Sequence, residues 1–212
     1  MEIRDILAIP GVYQFYQEVG GFFGARLKAI SSYLPLAGSE KILDIGCGPG
    51  FIVKHLPRTV TYVGYEPNES YIRYATRKFG TFGRFESGYF DEAAVAKETP
   101  PDVIMLNGVL HHMTDEQVGE LGQLALKALK PGGRLFTFDA CYVHGQNIIA
   151  KWLIDGDRGR YVRDEDTYRA LLLPHFRTLN VSIDHNISRV PYTFITMIGT
   201  KGHDDVSTAT KP

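Results

Sequence analysis

The feature that most constrains this chain is the stretch Leu43-Asp44-Ile45-Gly46-Cys47-Gly48-Pro49-Gly50. Residues 41–45 read as a short buried strand. The three glycines that follow let the backbone turn sharply and let a ligand approach the main chain closely. A helix is expected after the turn. In open parallel sheets ligands bind at just such strand ends, so the rest of the sequence must supply a sheet around this turn.

Short apolar strands alternate with helices through the middle of the chain. Strands are expected at 59–65, 84–87, 103–106 and 134–138. Asn68 is placed to cap a helix reaching Phe79. Thr114-Asp115-Glu116-Gln117 reads as a capping box. It opens a helix with Val118, Leu121, Leu124 and Ala128 on one face, ended by Lys130-Pro131-Gly132-Gly133. Repeated strand–helix units predict a parallel sheet covered by helices on both faces. Residues 145–154 and 164–173 read as further helices around a polar loop at 155–160. Residues 178–184 and 192–200 alternate as a β-hairpin. Upstream, residues 3–34 read as helical and are broken at Gly20-Gly21. The expected organisation is a helical lid or cap over 1–40, an α/β domain over 41–201, and a disordered tail over 202–212.

The glycine spacing separates two kinds of nucleotide cofactor. A dinucleotide fingerprint needs GxGxxG, whereas here the third glycine comes one residue early and follows Pro49. Asp44, two residues before the first glycine, would repel a diphosphate but attract an ammonium or sulfonium. Glu66, twenty-two residues after Asp44 and at the end of the second strand, is placed to accept hydrogen bonds from ribose hydroxyls. An acid there serves either cofactor.

Together these residues resemble the first two motifs of class I S-adenosylmethionine (SAM) methyltransferases. The resemblance continues through Asn107-Gly108-Val109-Leu110-His111-His112-Met113 and Leu129-Lys130-Pro131-Gly132-Gly133-Arg134-Leu135, and covers residues 41–140. It implies a Rossmann-like α/β fold: a seven-stranded mixed sheet in the order 3-2-1-4-5-7-6 with its last strand antiparallel. It also implies that Asp44 and the backbone of Gly46, Cys47 and Gly48 hold the methionyl part of SAM, that Gly50 belongs to the same cofactor-binding turn, that Glu66 holds the ribose, and that Asn107 lies under the methionyl and sulfonium region. Family members often place a Gly-Asp pair after the third strand to bind adenine. Here the pair is Gly88-Tyr89, which leaves Tyr89, or Asp91 in its place, for that contact. Tyr16, in the expected lid, is a further candidate for cofactor contact.

A methyl acceptor that arrives protonated needs a base. His111 and His112, just beyond the fourth strand, are the candidates, with His111 preferred. Tyr192 is a second candidate catalytic group. Asp139, Tyr142 and His144 are expected to follow the fifth strand. Arg158, Arg160, Arg163 and Arg189 form a possible anion-binding patch, set against pairing with Asp155, Asp157, Asp164 and Glu165. The substrate-binding set is therefore His144, Arg158, Arg160, Arg189 and Tyr192.

Composition restricts the partners. The formal net charge of the 212 residues is −1, without the basic excess of a broad nucleic-acid face. No apolar run reaches membrane-spanning length. Cys47 and Cys141 make neither a zinc pattern nor a plausible disulfide, so no metal is expected. These readings point to a cytoplasmic enzyme, monomer or homodimer, that O-methylates a small polar or anionic metabolite. A nicotinamide-dependent oxidoreductase and a non-catalytic SAM-binding module are the competing readings.

Overall fold

A computed structural model describes residues 20–157 and 159–203. Helix α1 (Phe22–Tyr33) starts at Gly21, whose φ of 74° is left-handed; a Cβ there would lie 2.7 Å from the Arg189 backbone nitrogen. Then follow β1 (Lys41–Ile45), β2 (Thr61–Glu66), α2 (Glu69–Phe79), β3 (Arg84–Ser87), α3 (Glu92–Lys97), β4 (Val103–Asn107), α4 (Asp115–Ala128) and β5 (Arg134–Tyr142). The chain closes with α5 (Ile148–Asp155), a two-residue β6 (Arg163–Asp164), α6 (Glu165–Leu172), β7 (Thr178–Asp184) and β8 (Phe194–Thr200).

The sheet order is β3-β2-β1-β4-β5-β8-β7, with β6 pairing only to β5. Setting that short β6 aside, this is the expected 3-2-1-4-5-7-6 arrangement. The first five strands are parallel, and β8 runs antiparallel to both β5 and β7.

Strand alternation sorts the core into two layers. Ile42, Val103, Met105, Phe136 and Phe138 pack beneath α1, α2 and α5. Leu43, Ile45, Ile104, Leu106 and Leu135 pack beneath α3, α4 and α6. The same alternation turns Asp44 and Asn107 toward the α1 side and Asp139 toward the other.

The helix starts follow their capping residues. The Asn68 carboxamide oxygen accepts from the N–H groups of Ser70 and Tyr71, and Thr114 and Gln117 complete a reciprocal capping box. Such caps are worth about 1 kcal/mol each.

Three expectations are corrected. β5 continues four residues past Phe138, because Phe194 and Ile195 pair with Ala140 and Asp139, and β6 pairs with Cys141 and Tyr142. Asp139 is thus a strand residue, not a loop residue. The glycine turn leads into a single 3₁₀ turn, Val53–His55, rather than a regular helix. Leu56 is extended ahead of Pro57, as the residue before a proline prefers. The six-residue α3 was not anticipated; Asp91 caps it by accepting the Ala94 N–H at 2.9 Å.

Among the described residues no helix is long and apolar enough to cross a membrane.

Candidate active site

The glycine turn is held against the end of β2. The N–H groups of Gly46 and Cys47 both donate to the Tyr65 carbonyl, at 2.8 and 3.1 Å. Gly46, Gly48 and Gly50 all have left-handed φ, at 74°, 55° and 76°. Their surroundings differ. A Cβ on Gly46 would meet Val109 at 2.7 Å and one on Gly50 would meet Phe85 at 2.7 Å, whereas one on Gly48 would meet nothing within 4 Å. The outer two glycines are required by packing. Gly48 presents bare backbone to open space. Cys47 turns its thiol inward: a Cβ on Gly64 would sit 2.7 Å from its sulfur. Burial pushes that thiol's pKa up, so it is no nucleophile.

A recess beside the turn is lined by Phe23, Arg26, Asp44, Gly48, Phe51 and Asn107, among others. Asp44 is buried; it accepts from the Tyr62 hydroxyl at 2.7 Å and from the Asn107 amide nitrogen at 3.3 Å. Burial lifts its carboxyl to about 6. The hydrogen bonds from Tyr62 and Asn107 and the charge of Arg26 pull the other way. The Asn107 amide oxygen and the Arg26 Nε are buried without hydrogen-bond partners. The recess thus combines a buried carboxylate, a spare acceptor and a spare cationic donor, a set that fits an amino-acid zwitterion.

Glu66 sits on the other side of the turn. Its carboxylate accepts from the N–H groups of Gly48, at 3.2 Å, and Asn68, at 2.9 Å. Desolvation nevertheless raises its pKa. The two bonds fix its orientation and leave lone pairs for hydroxyl donors. Tyr89 is 80% exposed, just beyond the end of β3. Asp91, the alternative adenine contact, is engaged as the cap of α3.

His111 lies in a 3₁₀ turn after β4 and is buried. Its Nδ1 is 2.8 Å from Asp139 Oδ1, which also accepts the His111 backbone N–H at 3.3 Å. The ring is boxed in. A Cβ on Gly108 would lie 3.6 Å from its Cε1 and 3.5 Å from an Arg26 nitrogen, and a Cβ on Gly159 would lie 2.1 Å from its Cδ2. Nε2 is bonded to both of those ring carbons, so it lies between Gly108, next in sequence to the lining residue Asn107, and the Gly159 loop. His112 is exposed and its ring lies tilted against that of His111, with centroids 4.1 Å apart.

The remaining candidates are more scattered. Tyr192 is buried, donates its hydroxyl to Asp157 at 2.5 Å, and packs edge-on to Phe22. His144, Arg160 and Arg189 are exposed. Arg163 is withdrawn from any anion-binding patch: it is buried, pairs with Asp115, and donates to the carbonyls of Leu110, Tyr161 and Met113. The acids weighed as partners for those arginines are engaged elsewhere. Asp155 pairs with Lys151, Asp157 accepts from Tyr192, Asp164 caps α6, and Glu165 faces Arg169. Tyr16 and Arg158 lie outside the described residues.

Sequence reasoning missed Arg26 and Gly159 and did not connect Asp139 to His111. Arg26 carried one signal: with Lys28 it is one of two charges in the apolar stretch from Phe22 to Ile30. The Gly159 contact and the Asp139 pairing are long-range and left no local trace.

Comparisons with known proteins agree with this architecture. Residues 42–133 match a family model described as a methyltransferase domain. An uncharacterized methyltransferase of Geobacillus sp. (strain WCH70) is 29% identical over 136 residues, or 64% of this chain and 62% of that protein. An S-adenosylmethionine-dependent methyltransferase of Thermotoga maritima superposes with a TM-score of 0.67 at 16% identity, covering 93% of this chain and 98% of its own. Human N-acetylserotonin methyltransferase, in a complex with SAM, superposes with a TM-score of 0.66 at 19% identity, covering 91% of this chain and 55% of its own.

Proposed function

We propose that this chain, whose residues 42–133 match a methyltransferase domain, is a class I S-adenosylmethionine-dependent enzyme that binds SAM in the recess beside Gly48 and transfers its methyl group to a small polar or anionic acceptor, at oxygen. The observation that carries the reading is the set Asp44, Asn107 and Arg26 around that recess, with two unpartnered buried atoms among them. Asp44 and the Asn107 amide oxygen would hold the methionyl ammonium. Arg26 would hold the carboxylate through its planar fork. Glu66, fixed by the Gly48 and Asn68 N–H groups, would take the ribose hydroxyls. When bound, the cofactor supplies an electrophilic methyl group and a neutral thioether leaving group. The protein's part is to orient the acceptor, exclude water and receive a proton. His111 would receive it, since its ring lies beside Gly108, next in sequence to the lining residue Asn107.

Residues 1–40 would act as a cap over this site, with α1 already contributing Phe23 and Arg26 to its wall. The net charge of −1 supports a small-molecule rather than a nucleic-acid acceptor. A nicotinamide dinucleotide fits poorly, because its diphosphate would lie beside Asp44 and Glu66.

Isothermal titration with SAM, S-adenosylhomocysteine and NAD tests the reading. Both adenosyl compounds should bind and NAD should not. Asp44→Ala should weaken SAM binding at least tenfold. NAD binding, or an Asp44→Ala variant with wild-type SAM affinity, would overturn the assignment.

A further inference from the structure

We propose that Asp139 is a positioning residue that fixes His111 in one tautomer, and that this commits the enzyme to acceptors arriving as neutral hydroxyls rather than as carboxylates. The inference rests on the function proposed above and adds to it the protonation state of the acceptor.

A side chain 0% exposed, such as that of Asp139, keeps a carboxylate only where its surroundings reward the charge. One oxygen, Oδ1, takes both the Nδ1 contact at 2.8 Å and the His111 backbone N–H at 3.3 Å. The other, Oδ2, is buried and without a hydrogen-bond partner. A carboxylate is acceptor-only, so the Nδ1 contact requires a proton on Nδ1. In the neutral imidazole Nε2 is then bare and is the ring's proton acceptor.

The surroundings hold that arrangement. Gly159 leaves the ring no room to rotate toward the loop, since even a Cβ there would lie 2.1 Å from Cδ2. The Tyr161 N–H donates to the His111 carbonyl at 3.0 Å and pins the backbone of the turn. Asp139 is held in strand β5 by its register partner Ile195 of β8, one residue past the last β4 pair, Asn107 with Phe138. The carboxylate faces a ring that becomes cationic on accepting a proton, the pairing that offsets the under-used Oδ2.

The chemistry balances with a hydroxyl acceptor. The hydroxyl oxygen forms a bond to the methyl carbon, the electron pair of the broken carbon–sulfur bond stays on sulfur, and the hydroxyl proton passes to His111 Nε2. The products are an ether, a neutral thioether and an imidazolium paired with Asp139. A carboxylate acceptor has no proton to give and makes no use of the pair.

The first test needs no acceptor. Protein labelled with ¹⁵N-histidine, its His111 signal assigned by loss in His111→Gln, should show a protonated Nδ1 and a bare Nε2 at pH 8 in long-range ¹H–¹⁵N spectra. A protonated Nε2 overturns the proposal. The second test incubates the protein with methyl-labelled SAM and two panels, one of alcohols and phenols and one of carboxylic acids. Turnover should fall on the hydroxyl panel. Asp139→Asn should lower kcat roughly 100-fold or more with SAM affinity, read by titration, within about twofold of wild type. Turnover confined to carboxylic acids, or full activity on hydroxyls in Asp139→Asn, overturns it. SAM binding separates the two levels: no binding to the wild type sinks the proposed function, whereas binding with the wrong tautomer sinks only this inference.

Discussion

The binding role proposed for Asp44 comes at the expense of stability. Its carboxyl titrates at about 6 in the fold, against an ordinary value of 3.8. A folded-state pKa above the unfolded value means that the native protein holds the proton more tightly, so native stability falls as pH rises from about 4 through 6. At pH 7 the penalty is on the order of 3 kcal/mol. Asp44→Asn should therefore raise the melting temperature of the cofactor-free protein at pH 7 and have little effect near pH 4. The unpartnered amide oxygen of Asn107 is available to accept from the new amide after a flip. The same substitution should cost SAM binding at least tenfold, because the ammonium and sulfonium favour the carboxylate. For the wild type the affinity should weaken as pH drops below about 6. Calorimetric titration at pH 5 and pH 8 checks the sign; equal affinities would mean that Asp44 does not face the cationic end of the ligand. Gly159 is the second informative position. Gly159→Ala places a methyl group where the His111 ring stands, so it should lower turnover at least tenfold while leaving SAM affinity intact, and should cost about 1–3 kcal/mol by overpacking. The candidate cofactor residues Asp44, the glycines and Glu66 could be picked out in the sequence because they sit in one local pattern tied to strand ends. On the candidate acceptor side only His111 could be. Asp139 and Gly159 are 28 and 48 residues from His111 in the sequence, and only the β4–β5 pairing and the loop's return bring them together.

At the level of elements, local signals decided what could be read. Caps at Asn68 and Thr114 set the starts of α2 and α4, and alternation set both strands of the hairpin. β5 was read short because its last four residues, Asp139, Ala140, Cys141 and Tyr142, owe their strand conformation to pairing with β8 and β6, elements far along the chain. α3 was missed because six residues give too little periodicity to register. This short helix is nevertheless fastened to the sheet. Glu98, at its C-terminal end, binds Lys41 of β1 at 2.8 Å, accepts from the Tyr65 hydroxyl of β2 at 2.8 Å, and pairs with Arg84 of β3. Hydrogen bonds from Lys41 and Arg84 hold its carboxyl at about 2, against the opposing effect of burial. A depressed folded-state pKa contributes stability that is present above the unfolded value near 4.5 and is lost as pH falls toward 2. Glu98→Gln should thus lower stability by about 1–3 kcal/mol at pH 7, and the difference from wild type should shrink in acid melts between pH 4 and 2. A constant difference across that range would show that the glutamate acts through shape and not through charge.

For the whole molecule, ligand binding and folding share one equilibrium, because the recess is assembled from α1, β1 and β4 and exists only in the native state. Ligand that binds the folded form alone stabilises it by about 2.7 kcal/mol at a hundred times its dissociation constant. In a chain of 212 residues that corresponds to a rise in melting temperature of roughly 4–10 °C. SAM at that excess should produce a shift in this range at pH 8 and a smaller one at pH 5, where Asp44 is protonated in the unliganded fold. NAD should produce none. His111→Gln should keep the full shift, since His111 faces the acceptor side of Gly108. Arg26→Ala should lose most of it, although Arg26 lies in a helix outside the 42–133 family match. That pair of variants separates the two halves of the site in one measurement. A shift lost in His111→Gln would place the histidine on the cofactor, and a shift kept in Arg26→Ala would remove α1 from the binding site and reduce the cap to a packing element.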